Sequence, residues 1–96
     1  MKVYISGPIT GINNFEKPFQ QAEDRLLLGG YTVVNPCNLP HNHSKTWIEY
    51  IREDIDAMLR LRCDAIALLK GWGKSRGALL ELLIAESCGM TVIYGY

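Results

Sequence analysis

The sequence predicts an α/β fold in which one four-stranded parallel sheet lies between helices, in the order β-α-β-α-β-α-β. Four short apolar segments rich in β-branched and aromatic residues alternate with three segments whose apolar residues recur at helical spacing. The connections between successive strands are too long for hairpins, so we expect parallel strands joined by right-handed crossovers. The 96 residues can bury one core, and we therefore predict a single domain over residues 1–96.

The first strand and the first helix are marked by their apolar residues and by the residues that end them. Residues 2–5 are β-branched and aromatic, and the sequence SGP that follows ends the strand. Asn14 is the predicted cap of a helix that stops at Gly29 and Gly30. The apolar positions of this helix recur at spacings of four, three and four. They are Phe15, Phe19, Ala22 and Leu26.

The rest of the chain repeats this alternation of strand and helix. The second helix is expected to begin at Ser44 or Thr46, after an irregular stretch over residues 36–45. The third helix follows a glycine-rich turn and stops at Gly89. The remaining predicted strands cover residues 31–34, 64–69 and 91–94.

Two glycine-bearing loops, over residues 7–11 and 71–77, each follow a predicted strand. Because the carboxyl ends of parallel strands share one edge of the sheet, where ligands bind in such folds, both loops are expected to face one pocket. The second loop leads directly into a helix, and backbone N–H groups at a helix N-terminus favour an anion. This edge of the sheet is therefore the predicted site for a phosphate or carboxylate.

Glu81 is the only charged residue between positions 78 and 85, one turn into the third helix. A carboxylate among aliphatic neighbours and beside a ligand loop is suited to act as a nucleophile or acid, because desolvation adjusts its pKa. The alternative is a glutamate on the solvent face of a helix. Tyr4 lies in the first strand, and its hydroxyl would pair with Glu81 if its ring points towards the pocket.

The second helix contains Asp54 and Asp56, and either is a candidate for a second carboxylate at the site. Asp56 precedes Arg60 by one helical turn, so an exposed ion pair is the alternative interpretation for this residue. His41 and His43 have no carboxylate or cysteine at ligand spacing, which favours a solvated loop over a metal site. We predict no metal and no cofactor.

The composition limits the kinds of partner and the compartment. A formal net charge of zero argues against a nucleic acid or an anionic membrane, and favours a small neutral or singly anionic ligand. The three cysteines are odd in number and lack CxxC spacing, which argues against a disulfide framework and indicates a reducing compartment. No segment has the length of a signal peptide or of a membrane span. A cytoplasmic protein is therefore expected.

Together these residues resemble the nucleoside 2′-deoxyribosyltransferase superfamily, which includes the 2′-deoxynucleoside 5′-phosphate N-hydrolases. The resemblance rests on VYISGPITG in the first strand and loop, the aspartate of the second helix and SRGALLE at the third helix. The whole chain is most similar to a small phage- and prophage-associated branch with the pattern YISGPITG, W-x-x-Y, CD and GW-x-x-S-x-GA-x-x-E. The resemblance implies a flavodoxin-like three-layer fold and cleavage of an N-glycosidic bond through a covalent glycosyl-glutamate.

The resemblance also implies roles for single residues. Glu81 would be the nucleophile, Tyr4 would orient it, and Asp56 would act on the departing base. Because Asp54 lies in the same helix, the choice between Asp54 and Asp56 as the acid stays open. The amides of Ser75 and Gly77 and the first glycine-bearing loop would hold the 5′ end of the sugar. The implied substrate-binding residues are Ser6, Gly7, Pro8, Ile9, Thr10, Gly11, Gly71, Trp72, Ser75 and Gly77.

The predicted partner is a nucleoside or a nucleotide, and two other functions stay open at this point. One is a nucleotide-binding module without turnover, and the other is a phosphoribohydrolase acting on ribonucleoside monophosphates. The third helix is apolar almost all round, which suggests that part of it is buried against another subunit. We therefore expect a homo-oligomer, most simply a two-fold dimer.

Overall fold

The computed structural model describes residues 1–40 and 46–96, and these form an α/β/α fold with strands and helices in the predicted order. The loop over His41 and His43, and Ser44 as a helix start, lie outside the described residues. The strands are β1 (Lys2–Ser6), β2 (Thr32–Val34), β3 (Ala65–Leu68) and β4 (Thr91–Ile93). The helices are α1 (Glu16–Leu28), α2 (Trp47–Arg60) and α3 (Arg76–Ser87).

The four strands form one sheet in the order β2-β1-β3-β4, with every neighbouring pair parallel. The chain leaves β1 towards β2 on one side and returns through α2 to β3 on the other side. The switch point of this topology therefore lies between β1 and β3, where Ser6 is in register with Leu68. The predicted flavodoxin-like arrangement of a four-stranded parallel sheet is confirmed.

Side chains alternate along β1 between two cores, one on each face of the sheet. Val3 and Ile5 pack with Phe19 and the other buried residues of α1. Tyr4 points to the opposite face, where it packs in a cluster that includes Met58 of α2 and residues of α3. The period of two therefore places Tyr4 and Ser6 on the face that α2 and α3 cover.

The ends of the helices confirm one predicted cap and correct another. Thr46 caps α2 in a capping box, because its side chain accepts from the backbone N–H of Glu49 and the Glu49 carboxylate accepts from the backbone N–H of Thr46. The predicted cap at Asn14 is wrong, since α1 begins at Glu16 and no side chain caps it. Asn14 instead adopts a left-handed backbone conformation with φ of 54°, which asparagine tolerates better than most residues.

The two glycine-bearing loops meet above the sheet. Gly71 has a φ of 88° and starts the turn that leads to α3, and a Cβ at this position would lie 3.4 Å from Cγ of Pro8. Ser75 then caps α3, since its hydroxyl accepts from the backbone N–H of Ala78 at 3.2 Å. The N-terminus of α3 therefore opens beside the loop that follows β1.

The outer face of α3 carries exposed apolar side chains. Leu79 is 45% exposed and Leu83, one turn further on, is 61% exposed. The homo-oligomer expected from the apolar character of this helix stays a prediction. Across residues 1–40 and 46–96, no helix is long and apolar enough to cross a bilayer.

Candidate active site

A cavity of about 720 Å³ opens at the carboxyl ends of β1 and β3, beside the switch point of the sheet. Its volume lies in the range that small-molecule sites occupy. The loop after β1 and the start of α1 form one wall, and α2 and α3 form the facing walls. Residues 36, 37, 39 and 40, which follow β2, close a further side.

Glu81 projects from α3 into this cavity and is only 5% exposed. The hydroxyl of Tyr4 donates to Oε2 of Glu81 at 2.7 Å, and the hydroxyl of Ser6 donates to Oε1 at 2.6 Å. Both donors lie on one face of β1 because they are two residues apart in a strand. Each oxygen of the carboxylate therefore has its own donor from the central strand.

Burial raises the pKa of the Glu81 carboxyl group to about 7. The hydrogen bonds from Ser6 and Tyr4 oppose this rise because they favour the ionised form, while the negative charge of Asp54 adds to it. Glu81 therefore exchanges its proton close to neutral pH. A carboxyl group with such a pKa can serve as a nucleophile or as an acid–base group.

Tyr4 is fully buried beneath Glu81. Burial, together with the charge of Glu81, raises the pKa of its phenol well above the ordinary value of 10.0. The phenol therefore keeps its proton across the physiological range and serves Glu81 as a hydrogen-bond donor. The expectation that Tyr4 pairs with Glu81 agrees with this contact.

The two aspartates of α2 have different environments. Asp54 is 8% exposed and lines the cavity. The side chain of Asp56 is 67% exposed, and it accepts from Nε of Arg60 at 3.2 Å. Two residues along a helix differ by about 200° in direction, so only one of the pair can face the cavity. The structure does not bring Asp56 to the site, and Asp54 takes the place that was predicted for it.

The predicted substrate-binding residues divide into those that line the cavity and those that do not. Gly7, Ile9, Thr10, Ser75 and Gly77 line it. Pro8, Gly11, Gly71 and Trp72 do not line it, and Trp72 packs its ring against Tyr94 with the centroids 5.9 Å apart. Ser6 contributes through its hydrogen bond to Glu81 instead of through the cavity surface.

Several lining residues were not among the predicted site residues. Trp47 and Tyr50 line the cavity from the same face of α2 as Asp54, at spacings of three and four residues. The W-x-x-Y motif in the sequence is the signal that could have identified them. Arg76 also lines the cavity, and its guanidinium lies 4.1 Å from the centre of the Trp47 ring. Phe15 and Glu16 complete the wall at the start of α1.

Cys37 is the thiol that lines the cavity. Burial raises its pKa to about 12, so it stays protonated at neutral pH. A protonated thiol is a poor nucleophile and a poor metal ligand. Among the described residues, no three His, Cys, Asp or Glu side chains are grouped so that they could hold a metal ion.

The sequence profile of one protein family matches residues 1–94, and its description is "Domain of unknown function (DUF4406)". The chain belongs to the DUF4406 family. No curated protein is significantly similar to it in sequence. The matched range of this DUF4406 domain contains the whole cavity wall and every strand of the sheet. The family assignment therefore covers the candidate site but assigns no chemistry to it.

We expect Glu81→Gln to stabilise this DUF4406 domain above neutral pH. The pKa of Glu81 is about 7 in the folded protein against an ordinary 4.5, so the parent loses stability as the pH rises from 4.5 to 7. The glutamine carries no charge at any pH, and it avoids that loss. The gain in unfolding free energy should grow over this interval towards roughly 3 kcal/mol, in the range that such a pKa difference implies.

Urea unfolding at pH 4.5, 6 and 8 measures this gain. Glu86→Gln is the matched control, because Glu86 is exposed on the same helix and its substitution should have little effect at any pH. A gain for Glu81→Gln that is the same at all three pH values would contradict the assignment of a raised pKa to Glu81.

Proposed function

We propose that this DUF4406 domain cleaves the N-glycosidic bond of 2′-deoxynucleosides or of their 5′-monophosphates, through a glycosyl ester of Glu81. The observation that carries the proposal is a buried carboxylate that faces a ligand-sized cavity and has a donor on each of its two oxygens. The resemblance of VYISGPITG and SRGALLE to the nucleoside 2′-deoxyribosyltransferase superfamily supports the same chemistry. The sugar then passes to water or to another base.

In the first step, one carboxylate oxygen of Glu81 attacks C1′ of the deoxyribose. The new C1′–O bond forms while the C1′–N bond breaks, and the electron pair of the broken bond leaves with the base. The step starts from the form of the site in which Glu81 is ionised and Asp54 is protonated. Asp54, which lines the same cavity, donates its proton to the departing nitrogen. Retaining glycosidases generally use two carboxyl groups with these separate roles.

In the second step, water or a second nucleobase attacks C1′ from the side that the first base left. The C1′–O bond to Glu81 breaks, and Glu81 leaves as a carboxylate. The Asp54 carboxylate takes a proton from the attacking group, which restores both residues to their starting states. Tyr4 keeps the Glu81 side chain in place throughout, since its hydroxyl donates to Oε2.

The aromatic residues of α2 suit the nucleobase. Trp47, Tyr50 and Asp54 follow one another along the cavity wall, so a base that stacks on an aromatic ring would lie in line with the proposed acid. Phe15 offers a further aromatic surface at the start of α1. This arrangement favours a flat, polar ring as the leaving group.

The N-terminus of α3 suits the 5′ end of the sugar. Ser75, Arg76 and Gly77 line the cavity there, and they precede Glu81 by six, five and four residues, so the rise along the helix is about 6–9 Å. Arg76 brings a positive charge to the cavity, and the other charged residues in the described part of its wall are Glu16, Asp54 and Glu81. A 5′-phosphate would therefore find its complementary charge at this end.

The proposal is tested by incubating the protein with a panel of deoxynucleosides, ribonucleosides and their 5′-monophosphates, and by measuring released base by chromatography. We expect release from at least one deoxy compound, and a loss of several orders of magnitude in Glu81→Gln because the nucleophile is gone. No release from any member would overturn the proposal. Thermal stabilisation of both proteins by nucleotides would then favour a binding module, and release from ribonucleotides alone would favour a phosphoribohydrolase.

The two aspartates of α2 provide a matched pair for the role of the acid. Asp54→Asn should lower the rate of base release by about 10²–10⁴-fold, since it removes the proton donor. Asp56→Asn makes the same chemical change on the same helix but outside the cavity, and should stay within about twofold of the parent. The effect of Asp54→Asn should shrink for nucleobases that leave easily. Equal losses in the two variants would contradict this assignment.

Arg76→Gln tests which end of the cavity holds the 5′ substituent. We expect it to raise KM for a 5′-monophosphate by roughly tenfold or more, as the loss of a charged hydrogen bond predicts, and to leave KM for the matching nucleoside nearly unchanged. Lys74→Gln is the control, because Lys74 is exposed nearby but does not line the cavity. An equal rise in KM for the nucleoside and for the monophosphate would show that Arg76 acts through Trp47 and not on the phosphate.

A further inference from the structure

Ser6 is buried outside the cavity wall, where it contacts Glu81. It is 1% exposed and does not line the cavity, and its hydroxyl donates to Oε1 of Glu81 at 2.6 Å. It is also the last residue of β1, directly before Gly7, which does line the cavity. The hydroxyl therefore contacts Glu81 without forming part of the cavity surface.

We propose that Ser6 is a positioning residue which, together with Tyr4, fixes the plane of the Glu81 carboxylate and favours its ionised form. This inference rests on the proposed role of Glu81 as the nucleophile. It assigns to Ser6 a contact with the protein's own carboxylate, in place of the contact with substrate that the resemblance implied.

Two hydrogen bonds restrict rotation of the Glu81 carboxylate. The terminal torsion of a glutamate side chain is broad, so a carboxylate held at one oxygen still turns about its last bond. Here Tyr4 holds Oε2 and Ser6 holds Oε1. Both donors are buried on the central strand, where their own positions are restricted by the core. Two such donors determine the direction in which the free lone pairs point.

The groups that surround Glu81 affect its ionisation in opposite directions. Among the described residues, the titratable groups on or beside the cavity are Tyr4 on β1, Glu16 on α1, Cys37 after β2, Tyr50 and Asp54 on α2, and Arg76 on α3. Asp54 and burial both oppose ionisation of Glu81. Ser6 and Tyr4 favour it, because a hydroxyl that donates to a carboxylate stabilises the negative charge.

The same donor helps the second step of the proposed reaction. When the glycosyl ester breaks, negative charge returns to the carboxylate of Glu81. A fixed donor directed at the oxygen where charge develops lowers the barrier to such a step. Loss of the Ser6 hydroxyl should therefore lower kcat more than it changes KM.

The direct test is a titration of the Glu81 carboxyl carbon by ¹³C NMR in protein labelled at glutamate, with the signal assigned from its absence in Glu81→Gln. The parent should titrate near pH 7. Ser6→Ala should move the midpoint about 1 pH unit to the alkaline side, because a hydrogen bond to the charged form is lost. Ser6→Thr retains a hydroxyl and should restore the midpoint towards that of the parent.

Ser87→Ala is the matched control for the titration. The hydroxyl of Ser87 also makes a hydrogen bond, to the carbonyl of Leu83 at 2.7 Å, but it is exposed at the end of α3 and far along the helix from the cavity. We expect its substitution to leave the midpoint of Glu81 unchanged. An unchanged midpoint in Ser6→Ala would overturn the inference.

The rate profile separates failure of this inference from failure of the proposed function. With a substrate that the parent cleaves, the acid limb of kcat/KM should move in Ser6→Ala by the same interval as the titration. If the parent cleaves nothing, the proposed function fails, and the NMR midpoint still tests the contact. If the parent is active and Ser6→Ala moves neither the limb nor the midpoint, the inference about Ser6 fails alone.

Discussion

The burial of one carboxylate is the constraint on which the rest of this structure depends. An ionised Glu81 at 5% exposure is costly unless donors meet it, and the donors come from β1 through Tyr4 and Ser6. The strand must therefore present hydroxyl groups on the α3 side while Val3 and Ile5 form the core on the other side. A central strand satisfies both demands, because side chains alternate between its faces and its backbone is paired on both edges.

This contact also determines how the cavity is built. Glu81 can meet β1 only if α3 crosses close to the end of the sheet, and the loops there must leave room. A Cβ at Gly7 would lie 2.7 Å from Cβ of Leu69, so only glycine fits where the chain leaves β1 beside the end of β3. The space that opens beyond Gly7 lies at the switch point of a parallel sheet, where the connections diverge and leave a crevice.

The two ends of the cavity carry residues of opposite charge. Asp54 and Glu81 lie in the buried part, where a low dielectric strengthens each charge. Arg76 lies against the indole of Trp47 at the N-termini of α2 and α3. A ligand with an anionic end and a flat aromatic end would match this arrangement in one orientation. That match is the physical basis for proposing a nucleotide, and it is independent of any sequence similarity.

The sequence by itself determined the strand and helix order and the two glycine-bearing loops, and it limited the start of the second helix to Ser44 or Thr46, because each depends on residues a few positions apart. It also identified Glu81 as unusual, since one charge in an apolar helix is a local pattern. Only the tertiary structure decided between Asp54 and Asp56, because the choice depends on which face of α2 packs against the sheet. Only it paired Ser6 with Glu81 and Arg76 with Trp47, residues 75 and 29 positions apart. Such contacts follow from strand order and helix placement, which local spacing does not encode.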